Sequence, residues 1–233
     1  MESQTPPFPA LIIFDCDGVL VDSEPLALRV LLEGISEAGV TIPEALAYER
    51  FLGRSLASVI ETLGRDFGVT LETDALEAMR DRLYALFRQE LQAMSGLAAA
   101  LEKLSAPVCV ASSSQMERIR LSLDVTGLAR YFGDHIFSAT MVAEGKPAPD
   151  LFLLAASRMQ AAPERCIVIE DSPAGIEAAR RAGMRVFAFT GGGHARSPAH
   201  RDRLASLAPD AMFDDMAQLP EMVRAAGEQR EQA

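Results

Sequence analysis

The chain has 233 residues, 49% of them hydrophobic and 24% charged, with a formal net charge of -11 and a pI near 4.8. That length suits one large domain, or a domain with a smaller insert, and no apolar run approaches the ~20 residues of a membrane helix. The acidic balance argues against nucleic acid and anionic membranes as partners, while an anionic small molecule is still admitted wherever local cations hold it.

The opening MESQTPPFP has no basic patch followed by an apolar stretch, so it does not read as a secretory signal and the cytoplasm is the default location. The first strand is LIIF (11–14). It runs into FDCDGVLVDSE (14–24), where Asp15 and Asp17 stand one residue apart and Gly18 lets the chain turn beyond them. Residues i and i+2 of an extended segment face the same side, so the two carboxylates are expected to point together, with Cys16 turned away.

The next strand, VCVA (108–111), comes some ninety residues later, although a crossover needs only one helix. Between them the pattern reads helical over 25–38, 57–67 and 73–94, with GVTIPE and FGVTLET as turns. The economical reading is a helical insert over 24–94, with 1–23 and 95–233 forming the rest of the fold.

Farther on, HIFSA (135–139), CIVIE (166–170), RVFAF (185–189) and a short stretch at 211–213 read as strands. They alternate with helical patterns at 115–124, 149–159 and 173–182, each opening after a Ser, Pro or Asp. Strand–helix alternation predicts an α/β fold with a parallel sheet. TGGGHA (190–195) lacks the Gly-Lys-Ser/Thr of a P-loop and reads as a turn at the site rim, and the polar tail GEQREQA reads as a fraying end. Cys16, Cys109 and Cys166 match no zinc spacing and read as small buried residues in a reducing compartment.

In open parallel sheets, ligands bind beyond the carboxyl ends of the strands. Those ends offer Asp15 and Asp17, then SSSQ (112–115), then Lys146 in EGKPAPD, then Glu170 and Asp171 in EDSPAG. Four carboxylates in one crevice repel one another and need compensation. A hard cation resolves this, and Mg²⁺ suits best because it takes a few carboxylates together with waters and a substrate phosphate. Lys146 adds positive charge, and the hydroxyls and free N–H groups around Ser112 and Ser113 suit a phosphate at a helix start. A phosphoryl group there would meet two carboxylates with different tasks. One attacks phosphorus to give an aspartyl-phosphate. The other protonates the leaving oxygen and then takes a proton from water.

The four motifs in this order, DCDGVLVDS, Ser112, Lys146 in GKPAPD and EDSPAG, resemble those of the haloacid dehalogenase superfamily from Leu11 to about Leu219. The resemblance implies a Rossmann-like parallel-sheet core with a small α-helical cap after strand one, as in the subfamily of β-phosphoglucomutase and many sugar-phosphate phosphatases. It implies Asp15 as nucleophile and Mg²⁺ ligand, and Asp17 as general acid/base touching the metal through its main-chain oxygen. Ser112 and Lys146 would hold the phosphoryl group, and Asp171 would bind Mg²⁺, with Glu170 bound directly or through water. FLGRS (51–55) resembles a cap loop that meets substrate, which makes Arg54 a candidate, and Ser23 and Glu24 are candidates for the entrance.

The expected function is a Mg²⁺-dependent phosphatase for a small phosphorylated metabolite, a sugar or polyol phosphate, in a chain whose default state is a monomer. The alternative is a phosphomutase of the β-phosphoglucomutase type, but the first cap helix has Ala27 where those mutases resemble one another in having a histidine. Dehalogenases of the superfamily lack a counterpart of Asp17, and phospho-receiver domains are about half as long and have no such insert.

Overall fold

The structure is a computed structural model and describes residues 8–51, 56–196 and 198–231. Six parallel strands form one sheet in the order β3-β2-β1-β4-β5-β6. They are β1 (Leu11–Phe14), β2 (Val108–Ser112), β3 (Ile136–Ser138), β4 (Cys166–Glu170), β5 (Arg185–Phe189) and β6 (Ala211–Phe213). β1 is central and covered on both faces. Ile12 and Phe14 enter one hydrophobic layer, and Leu11 and Ile13 enter the other. A strand covered twice has no polar face, which is why LIIF is apolar throughout. Each such side chain contributes roughly 1.5–3 kcal/mol by burial.

Register brings the site together. Phe14 lies beside Val110 of β2 and Ile169 of β4. The N–H of Asp15 donates to the carbonyl of Ile169 at 3.0 Å, extending the ladder by one residue. The residues that follow β1, β2 and β4 therefore emerge side by side.

Among the described residues, the stretch from 24 to 90 after β1 holds four helices and one π-helical turn: α1 (Glu24–Glu37), α2 (Glu44–Phe51), α3 (Leu56–Thr62), the turn Leu63–Phe67, and α4 (Thr73–Glu90). α1 has proline in its first turn, where a missing N–H costs nothing. It buries Leu28, Leu31 and Ile35, and α4 buries Met79, Leu83 and Phe87 in the same apolar cluster. The pattern over 57–67 is thus two pieces, closed by Gly68 at φ 65°. α2 is an additional helix beyond the GVTIPE turn.

The pattern expected to run as helix over 73–94 stops at Glu90. Beyond it the chain is extended and pairs with the segment leading into α1. Asp22 N–H donates to Gln92 O at 3.1 Å, Met94 N–H donates to Leu20 O at 2.9 Å, and Val21 faces Ala93 in an antiparallel bridge. These bonds replace the helical ones, so the chain leaves and rejoins the sheet along adjacent paths.

α5 (Leu97–Leu101), α6 (Met116–Val125), α7 (Ala129–Phe132), α8 (Asp150–Arg158), α9 (Pro173–Arg181), α10 (Pro198–Ser206) and α11 (Leu219–Glu231) complete the fold. The tail expected to fray begins inside α11, which continues through Gly227 to Glu231, and residues 232–233 lie outside the described residues. Gly227 is buried so closely against the Phe8 carbonyl that an added Cβ would come within 2.9 Å of it. Cys16, Cys109 and Cys166 are all buried free thiols. Among the described residues no helix is long and apolar enough to cross a membrane.

Candidate active site

The centre of the site is Lys146, whose side chain is only 3% exposed. Its Nζ donates to Asp15 Oδ1 at 2.6 Å and to Glu170 Oε1 at 2.6 Å. The ammonium also lies 4.9 Å from the centre of the Phe152 ring, whose negative face favours a cation. Burial works against the charge of Lys146, but the two carboxylates outweigh it and hold its pKa above the ordinary lysine range.

Glu170 is fully buried at the end of β4. Its second oxygen accepts from the N–H of Asp171 (2.8 Å), the N–H of Ser172 (2.8 Å) and the Ser172 hydroxyl (2.9 Å). Ser172 in turn caps α9 by accepting from Gly175 N–H at 3.0 Å. Gly175 lies hard against the Glu170 carboxylate, and a Cβ there would overlap it. Protein donors thus engage both oxygens of Glu170.

Asp15 is 7% exposed and Asp171 6%. Burial, reinforced by the charges of Glu170 and Asp171, pushes the Asp15 carboxyl well above the usual range against the pull of Lys146. Lys146 thus bonds Asp15 and Glu170, and Asp171 lies close enough for its charge to act on Asp15. Among the described residues no three His, Cys, Asp or Glu side chains converge to ligate an ion unaided. Three buried carboxylates gathered at the strand ends fit Mg²⁺, which takes a few carboxylates and fills the rest of its shell with waters and phosphate oxygens.

Asp17 has a separate set of partners. Oδ1 accepts from Ser23 Oγ at 2.6 Å and from Arg118 Nη2 at 2.6 Å, and Oδ2 accepts from Ser114 Oγ at 2.6 Å. Burial raises its pKa, but Arg118 and the two hydroxyls outweigh that and hold it below the ordinary carboxylate value. Gly18, at φ 80°, turns the chain immediately afterwards. Cys16, between the two aspartates, is buried; burial and the neighbouring Asp17 and Asp15 charges push its thiol well up, which makes it inert.

Ser112 is buried at the end of β2 and accepts from Ser114 N–H at 3.2 Å. Ser113 is exposed and lines a cavity of about 510 Å³ together with Glu24, Ala27, Tyr84, Ser114 and Arg118. This cavity opens between the helices that follow β1 and the start of α6, so Glu24 faces the same space as the serine cluster. Arg54 lies outside the described residues. The Gly-rich loop after β5 meets the rim, with Gly193 N–H 3.4 Å from Asp22 Oδ1.

Arg118 was not apparent as a site residue from the motifs. A single arginine on an amphipathic helix looks like a solvated one. Helical spacing held the available clue, because positions three and four apart share a face, which puts Arg118 on the same side as Ser114 and Gln115.

Residues 9–183 match the model of the haloacid dehalogenase-like hydrolase family. The 6-phosphogluconate phosphatase of Escherichia coli is 34% identical over 217 residues, covering 93% of this chain and 95% of that protein. Hexitol phosphatase A of Escherichia coli is 31% identical over 183 residues, covering 76% of this chain and 81% of that protein. A haloacid dehalogenase-like protein of Agrobacterium tumefaciens has the same fold at a TM-score of 0.84 and 37% identity, covering 93% of this chain and 98% of that one. The chain therefore belongs to the haloacid dehalogenase-like hydrolase family, as an enzyme of the phosphatase kind.

Proposed function

We propose that the protein hydrolyses the phosphate ester of a small phosphorylated carbohydrate through an aspartyl-phosphate on Asp15. The observation that supports this most is Lys146 held between Asp15 and Glu170 with Asp171 beside them. The substrate class follows from the relatives, whose names specify 6-phosphogluconate and hexitol phosphates.

An Asp15 oxygen attacks phosphorus, and the bond from phosphorus to the ester oxygen breaks. Arg118 favours the Asp17 anion, so the step runs through the minor fraction in which Asp17 is protonated, and that proton goes to the leaving oxygen. Water then attacks the phosphorus of the acyl phosphate and passes a proton to Asp17, and the bond to Asp15 breaks, restoring the enzyme. Lys146, the Ser112 hydroxyl and the N–H groups near Ser113 hold the phosphoryl oxygens. Mg²⁺, held by the side chains of Asp15 and Asp171 and the main-chain oxygen of Asp17, would supply the positive charge that lets a carboxylate approach a phosphate dianion. Glu170, with its oxygens taken by protein donors, orients Lys146.

Residues 24–94 act as a helical cap over a core made of 1–23 and 95–233, and Glu24 contributes to its inner wall. Closure of such a cap excludes bulk water. Ala27 also lines the cavity, so no imidazole is available there to favour a sugar acceptor over water, which favours phosphatase over mutase chemistry. The cytoplasm, where the three buried thiols stay reduced, is the compartment this reading assigns. The test is release of inorganic phosphate from a panel of sugar, polyol and sugar-acid phosphates with Mg²⁺. Release by the wild type and its loss in Asp15→Asn are expected; equal release by the variant would overturn the reading.

A further inference from the structure

We propose that Arg118 is a positioning residue that aims the carboxylate of Asp17 and ties that aim to helix α4. The inference rests on the reading above, in which Asp15 is the nucleophile and Asp17 carries the proton.

Asp17 has three side-chain donors at 2.6 Å, on both of its oxygens. Two are hydroxyls, from Ser23 and Ser114, which rotate freely about their C–O bonds. Arg118 is the charged donor and the one with a rigid planar head. Its side chain is only 23% exposed, and its Nε is buried with no hydrogen-bond partner. The guanidinium bonds the carboxylate of Asp17, lies over the ring of Phe87, whose centre is 5.3 Å away, and feels the charge of Glu24 on the same cavity wall. Phe87 is 1% exposed and belongs to α4, the last helix before the chain returns to the sheet. Asp17 lies on the loop that leaves β1, and Arg118 lies on α6, after β2. The chain Asp17–Arg118–Phe87 thus joins both ends of the sheet-side site to the helical insert. A shift of α4 moves the ring under Arg118 and, with it, the carboxylate.

p-Nitrophenyl phosphate separates this role from plain structural support. Its p-nitrophenolate departs without needing a proton, so attack by Asp15 does not depend on Asp17. Hydrolysis of the acyl phosphate does depend on it, because Asp17 must take the proton from water. In the Mg²⁺-loaded wild type, p-nitrophenolate is expected to appear without a burst.

In Arg118→Met, steady-state turnover is expected to fall roughly 10²-fold, the usual size of a general-base contribution. A burst approaching one p-nitrophenolate per site should precede it, with one phosphoryl group trapped on the peptide containing Asp15. Arg118→Lys, which keeps the charge and a donor but not the flat head, should fall between and show a smaller burst; it also serves if the methionine variant does not fold. Turnover within threefold of wild type, or slowing without a burst, would overturn the inference and leave the phosphatase reading intact. A wild type that releases no p-nitrophenolate would overturn both.

Discussion

Asp15 and Glu170 share a single ammonium: Lys146 lies 2.6 Å from an oxygen of each, in a place almost closed to water. Removing one partner of such a buried set leaves charges that nothing compensates. Lys146→Met should lower stability by about 3–5 kcal/mol at neutral pH. The pKa of Lys146 is raised on folding, so the stability it lends is complete below the unfolded lysine value of about 10.4 and is lost only as pH rises beyond it. The gap between wild type and variant should stay level over about pH 7–9 and narrow in acid, as the unpaired carboxylates of the variant protonate. Urea unfolding at a series of pH values measures this; a gap that widens in acid would contradict it.

The close approach of Gly175 to Glu170 is a second point of strain under substitution. Gly175→Ala sets a methyl group into the Glu170 carboxylate. Overpacking of this kind costs about 1–3 kcal/mol. Displacing Glu170 also displaces Lys146, so the melting temperature and turnover should fall together. A variant that loses stability at full activity would show that Glu170 does not orient the lysine.

Much of this was legible in the chain itself. β1 and β4 read as strands because both are covered on two faces and carry only apolar residues until their carboxyl ends, where Asp15 and Glu170 appear. α2 and α10 were harder. α10 buries only Leu204 among its side chains, so its sequence has no apolar stripe to detect. The end of α4 was hidden for another reason: Gln92 and Met94 continue a helical pattern, and hydrogen bonds to Leu20 and Asp22, some seventy residues earlier, take them out of it. Arg118 was illegible because its partners, Asp17 and Phe87, lie 101 and 31 positions away and meet it only in the fold.

Ala27 on the cavity wall bears on the fate of the phosphoryl group. With a hexose 1-phosphate, the wild type should release inorganic phosphate and form no hexose 6-phosphate, as followed by phosphorus NMR. Interconversion of the two esters without phosphate release would reinstate the mutase alternative.

On the proposed mechanism, phosphate release needs a divalent cation beside Asp15 and Asp171. Exhaustive chelation should abolish phosphate release, Mg²⁺ should restore it, and Asp171→Asn should raise the Mg²⁺ concentration needed for half-activity at least tenfold, since even the loss of a partner behind a metal ligand typically costs about 10–100-fold. Full activity in the chelated protein would contradict the proposed role of the acidic cluster.

The account depends most on Asp15 carrying the phosphoryl group. Asp17→Asn, which keeps the nucleophile but removes the proton carrier, should be mixed with p-nitrophenyl phosphate and Mg²⁺, quenched in acid, digested and weighed. The predicted result is one phosphoryl group on the peptide holding Asp15, absent when Asp15 is also changed to Asn. A phosphoryl group on any other side chain, or one that persists in that double variant, would contradict the account.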